Sequence, residues 1–213
     1  GTNHRFGLFD AILIKDNHLA LAAQLQAMAD TVPVDAPWTA PEAVAWDSQT
    51  LRTWLDEAGA SPAAQGIFRG ISDLWGAEPR DVSLLFALFY IAAAGDETTP
   101  GTLDRLIDIR DGAQELRFVG GSQLIAIRMA EALGDRVQLS TPVRAIRTTP
   151  DGVQVEADGL NVTARRVIVA TPPALAAGIE YEPQLPTRRA QLFQRFPMGS
   201  LMKVEAVYEE PFW

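Results

Sequence analysis

Lys203 is the residue whose type and setting most plainly invite chemistry. It lies inside an apolar run, with Leu201, Met202, Val204 and Val207 around it, after a turn marked by Pro197 and Gly199. The run reads as a buried or half-buried strand, and taking an ammonium out of water is costly. A lysine so placed has a partner or a task; the plain alternative is an edge-strand lysine that snorkels to solvent. Other chemistries are closed off. The chain has no cysteine and only two histidines, which removes thiolate nucleophiles and disulfides and argues against a zinc site. Gly120-Gly121, ahead of a helical pattern, mimics a phosphate-cradling turn. The full Gly-x-Gly-x-x-Gly fingerprint with an acidic residue about 20 positions on does not occur.

Several elements must hold that lysine. Leu21, Leu25 and Met28 share a helical face, and Pro33 and Pro37 then enforce an extended loop. Asp47 is the expected cap of a helix carrying Leu51, Trp54, Leu55 and Ala58, with Trp46 packed on Leu51 and Gly59 as the stop. Ser61-Pro62 opens a further helix through Ile67, Ile71 and Leu74. Asp81 is the expected cap of an almost wholly apolar helix over 82–94, the centre of a helical domain. A polar, Gly/Thr-rich loop follows Gly95 and leads to a short segment, Leu103 to Ile109.

After Gly120-Gly121 the pattern changes. Ser122 is expected to cap a helix with Leu124, Ile127, Ala130 and Leu133, ended by Gly134. Arg136–Leu139 and 142–147 are strand-like, and Val153–Ala157 alternates between turns at 150–152 and Asp158-Gly159. Val167–Ala170 is a continuous apolar run suited to an interior parallel strand. A last helix near Pro186–Arg195 returns the chain to Lys203. Asn161-Val162-Thr163 matches a glycosylation acceptor and reads as a chance match.

Composition bounds the partners. The 213 residues carry 18 basic and 27 acidic side chains, a net charge of −9. That balance argues against nucleic acid or an anionic membrane as partner, since both need basic patches. The longest apolar run, 84–94, is well short of the roughly 20 residues that cross a bilayer. The N-terminal apolar residues are interrupted by His4, Arg5 and Asp10 and do not read as a signal peptide. A cytoplasmic protein is the expectation.

The stretch Phe196-Pro197-Met198-Gly199-Ser200-Leu201-Met202-Lys203, closed by Glu210-Pro211-Phe212-Trp213, resembles a strand of the flavin-containing monoamine oxidases. The resemblance extends back to Leu21, through Phe118-Val119-Gly120-Gly121-Ser122. It implies an α+β / α/β fold: a helical substrate-binding domain plus part of a Rossmann-like FAD-binding domain, incomplete. Residues 21–115 would form the first, 116–175 part of the second, and 176–213 would return to the substrate-domain sheet. FAD is the implied cofactor, a small-molecule amine and dioxygen the implied partners. Lys203 would be catalytic, holding a water against N5 of the flavin. Val143 would meet the adenine end of the cofactor. Gln114, Ile107 and Leu74 would line the substrate cavity, Ile107 as the gating side chain.

Residues 1–20 resemble a different family, the quinolinate phosphoribosyltransferases, through Asn-His-Arg-x-Gly-Leu and Leu-Ile-Lys-Asp-Asn-His. That likeness would make His4, Arg5 and Lys15 contacts of a dicarboxylate. A barrel of that kind needs on the order of 200 residues, so the segment is read as foreign to the rest. The leading reading is FAD-dependent oxidation of a primary or secondary amine to an imine or aldehyde, with hydrogen peroxide produced. The alternative is a non-catalytic truncated or fused module that binds neither flavin nor amine.

Overall fold

The structure is a computed structural model that describes residues 16–113, 115–204 and 206–210. It contains two compact units: one runs through Arg117 and resumes at Ser200, the other spans Phe118–Gly199.

The first unit is helical. Its elements are α1 (Asp16–Ala29), α2 (Ala43–Asp47), α3 (Leu51–Glu57), α4 (Pro62–Ser72), α5 (Leu84–Ala92) and α6 (Leu103–Ile107). The helix starts are set by short hydroxyl side chains. Thr50, Ser61, Ser83 and Thr102 each accept a hydrogen bond from the amide three residues on, satisfying a donor that the first turn leaves open. The expected caps Asp47 and Asp81 do not serve: Asp47 ends α2, and the helices begin at Leu51 and Leu84, four and three residues after the aspartates. A reason is visible in the pairing of the two true caps. Thr50 and Ser83 form an isolated antiparallel bridge, with Leu51 N donating to Val82 O at 3.0 Å and Leu84 N to Gln49 O at 2.9 Å. That bridge holds Thr50 and Ser83 extended, which fixes where both helices can start.

α1, α2 and α3 pack on α5, the central helix that its apolar content predicts. Leu55, Leu84 and Leu88 are wholly shielded from solvent. Leu21 and Leu25 of α1, Phe68 and Ile71 of α4, and Leu103 and Leu106 of α6 complete the same core. Each such side chain contributes about 1.5–3 kcal/mol by leaving water. The helix α1 begins at Asp16, so the sequence-based boundary after residue 20 falls inside a continuous helix.

The second unit carries a four-stranded sheet of order β3-β2-β1-β4, formed by β1 (Val143–Thr149), β2 (Gly152–Ala157), β3 (Leu160–Ala164) and β4 (Glu180–Glu182). β1–β2 and β2–β3 are antiparallel hairpins, and β4 joins β1 in parallel. Arg147 sits at the junction, with Glu156 Oε1 at 2.5 Å and Glu182 Oε2 at 2.9 Å. The helices here are α7 (Gln123–Leu133), α8 (Pro173–Ala176) and α9 (Thr187–Gln194). Among its described residues, only Ala145, Ile146 and Ala176 are buried.

Three sequence expectations are corrected. Val167–Ala170 forms no strand: Ile168 is 89% exposed. Residues 201–204 and 206–208 likewise join no ladder, and Met202 is 87% exposed, so the buried strand around Lys203 is not found. Both runs have strand composition, but a strand exists only through neighbours that take its amides and carbonyls. Arg136–Leu139 is not a strand either; a 3-10 turn, Gly134–Arg136, leads into it. Among the described residues, no helix is long and apolar enough to cross a membrane.

Candidate functional site

The helix α6 carries Ile107, one of the cavity residues expected from sequence. A five-residue helix cannot hold itself in water, so its position comes from its attachments. Thr102 caps it by accepting Arg105 N at 3.0 Å. Gln26 of α1, half-buried, grips its start from outside: its Oε1 accepts Leu103 N at 2.8 Å and its Nε2 donates to Gly101 O at 3.3 Å. Gly101 lies so close to the main chain of Ala92 that a Cβ would collide with it.

Arg105 makes the remaining attachments. Its Nε donates to Ala94 O at 3.1 Å and its Nη2 pairs with Asp96 Oδ2 at 2.9 Å. Its own carbonyl accepts Ala113 N at 2.7 Å. The other carboxylate oxygen of Asp96 accepts Thr98 N, Thr98 Oγ1 and Thr99 N, at 2.9, 2.8 and 2.9 Å. Those donors, the Thr98 amide first and the Arg105 charge last, pull the Asp96 pKa down to about 2. Asp96, Arg105, Gly112, Ala113 and Glu115 line an open depression of about 360 Å³.

Ile107 is the last residue of α6 and is partly buried against the helical core. Gln114 lies outside the described residues. Leu74 stands in the 3-10 turn Asp73–Trp75, 45% exposed. The turn is anchored by Trp75, which meets Phe86 and Tyr90 edge-on with ring centres 5.6 and 5.5 Å away. Lys203 belongs to the same unit and is exposed. The chain leading to it is tied to the Leu74 turn, since Ser200 N donates to Gly76 O at 2.7 Å. Leu74, Ile107 and Lys203 therefore share one unit. Val143, 38% exposed at the start of β1, belongs to the other.

Sequence reasoning missed Gln26, Asp96 and Arg105. Asp96-Glu97-Thr98-Thr99 is a legible side-chain-to-backbone turn, and could have been found. Gln26 is one glutamine on a helix face, and its partners are 75 and 77 residues away. His4, Arg5 and Lys15 lie outside the described residues, and among those described no group of three or more metal-ligating side chains occurs.

A dinucleotide needs main-chain amides aimed at its diphosphate, as at a glycine turn between a strand and a helix. The double glycine Gly120-Gly121 has φ of 83° and 90° and opens α7. Among the described residues no strand precedes it, and Phe118 and Val119 are exposed. The described residues thus do not fit the diphosphate by themselves.

Comparison with known proteins gives these groups a context. The family described as flavin containing amine oxidoreductase matches residues 8–213. The match begins inside the first 20 residues, which the sequence set apart as foreign, and the phosphoribosyltransferase likeness finds no support. A Mycobacterium tuberculosis protein described as flavin-containing monoamine oxidase AofH is 41% identical over 191 residues, 89% of this chain and 41% of its own length. Amine oxidase A of Equus caballus is 38% identical over 190 residues, 87% of this chain and 34% of its own. Among solved structures, cyclohexylamine oxidase from Brevibacterium oxydans aligns with a TM-score of 0.75 and 34% identity, over 86% of this chain and 40% of that one. The chain thus spans well under half the length of these relatives.

Proposed function

The chain belongs to the family of flavin containing amine oxidoreductases, whose members use FAD, and from that premise we propose that it is the substrate-lining part of an amine oxidase. The reaction is oxidation of a primary or secondary amine to an imine, released as aldehyde after hydrolysis, with dioxygen reduced to hydrogen peroxide. When bound, the flavin supplies the redox chemistry, and the protein supplies orientation and an apolar, water-poor cavity. Lys203 is the polar group at the chemistry, Leu74, Ile107 and Gln114 line the amine's path, and Val143 lies at the cofactor's adenine end. A cytoplasmic location belongs to the same proposal.

The observation that supports the reading is the tie between the Leu74 turn and the Lys203 segment, made by Ser200 N and Gly76 O at 2.7 Å. It keeps a cavity residue and the lysine in one unit. Against it, Lys203 is exposed and the described residues offer the diphosphate no seat, which favours the second reading of a non-catalytic module for the chain acting alone.

The test is to mix purified chain with FAD, pass it through gel filtration, and assay peroxide with an amine panel. Flavin retention is expected to be weak. Amine-dependent peroxide establishes the oxidase reading, and Lys203→Met should then lower it about 10-fold or more, roughly 1.4 kcal/mol per factor of ten. A chain that takes up neither flavin nor amine is the non-catalytic module.

A further inference from the structure

We propose that Arg105 is a positioning residue for the amine site, fixing through its pair with Asp96 the corner that runs from Ile107 to Ala113. The proposal rests on the amine oxidase reading above and adds to it the device that sets the width of the amine's path.

Arg105 is tied at both of its ends. Its guanidinium joins the carbonyl of Ala94, just past the end of α5, to the carboxylate of Asp96. Its carbonyl holds the amide of Ala113, the residue directly before Gln114 in the chain. Ile107 follows two positions later on the same short helix. Arg105 thus ties the turn that carries Ile107 to the amide of Ala113.

The acceptor for that head is itself preset. Asp96 takes three further hydrogen bonds from Thr98 and Thr99, so its carboxylate cannot swing. An arginine suits this because its planar fork reaches two acceptors in fixed directions, which an ammonium cannot do. On the other side, Gly112 passes so close to the carbonyls of Asp108 and Arg105 that a Cβ would overlap them. The corner is thus packed to contact on its inner side and held by one ion pair on its outer side. That pair forms a wall of the open depression beside Ala113 and Glu115. The Arg105 charge is offset by Asp96, so it does not meet an amine as an unpaired cation. Its role is geometric.

The experiment compares wild-type chain with Arg105→Ala, Arg105→Lys and Asp96→Asn. Hydrogen exchange is followed by peptide, and binding of cyclohexylamine and of the slimmer butylamine is measured by equilibrium titration. Arg105→Ala should speed exchange over 102–113 about tenfold while leaving α5 and the β1–β2 hairpin unchanged, as local opening does. Arg105→Lys should recover part of the protection, because it keeps the charge and loses the bond to Ala94. The ratio of the two amine affinities should shift about threefold or more in Arg105→Ala, whereas a merely structural role would weaken both equally. Unchanged exchange overturns the proposal, and so does faster exchange with an unchanged ratio. If Arg105→Ala does not fold, Arg105→Lys and Asp96→Asn decide on the same criteria. If the wild-type chain binds neither amine, the amine-site reading fails and the proposal falls with it. Faster exchange in the variants would then place the failure in that reading and not in the ion pair.

Discussion

Ser200 donates its main-chain amide to the carbonyl of Gly76 at 2.7 Å, joining two segments that are 124 residues apart by number in the chain. This bond brings the approach to Lys203 back to the helical unit, beside the turn that holds Leu74. The described residues beyond Ser200 are exposed, so the bond is a main determinant of where that segment starts. Ser200→Pro removes the donor. Hydrogen exchange and limited proteolysis over 196–208 should quicken, while the unfolding midpoint of the helical unit stays put. An unchanged cleavage pattern would show that other contacts place the segment.

The caps give a differential prediction. Ser83 accepts Phe86 N at 3.2 Å, whereas Ser122 makes no capping bond with its side chain. Ser83→Ala should cost about 1 kcal/mol and Ser122→Ala almost nothing. Equal losses in urea unfolding would contradict the assignment. Four tryptophans, Trp38, Trp46, Trp54 and Trp75, lie in the helical unit's described residues, so their fluorescence reports the first substitution. The second is read by circular dichroism.

Leu88 lies at the middle of α5 and is wholly buried. Leu88→Ala should destabilise the helical unit by about 2–5 kcal/mol, the transfer loss plus the cavity left among its neighbours. The measurement is the urea midpoint by tryptophan fluorescence. A loss below 1 kcal/mol would mean that α1 and α3 close over the gap.

Asp96 predicts an acid limb. Its pKa in the folded chain is about 2, below the ordinary carboxylate value of about 4. A depressed pKa means that the stabilisation is fully present above pH ~4 and is lost as the pH falls towards 2. Asp96→Asn should flatten that part of a plot of melting temperature against pH between 5 and 2. The wild type and variant curves should converge at the acid end. Parallel curves across the whole range would exclude Asp96 as the source.

The helical unit was legible in sequence because its signals are local. Apolar spacing in 51–58 and 82–94, the Ser61-Pro62 start and the stop at Gly59 depend on residues within a turn or two. The β1–β2–β3 hairpins were marked in the same way by the turns at 150–152 and 158–159. Family membership, too, was carried by short motifs, above all 118–122 and 196–203. Helix starts were misplaced where a distant pairing intervened: the bridge between Thr50 and Ser83 passes the capping role from aspartate to hydroxyl. The runs 167–170 and 201–208 show the same limit in the other direction. Their composition says strand, but a strand's hydrogen bonds lie on another segment, and only the tertiary structure decides whether that segment is there. The Arg105 clamp belongs with them, since Gln26, Ala94, Asp96 and Ala113 converge on α6 only once the chain is folded.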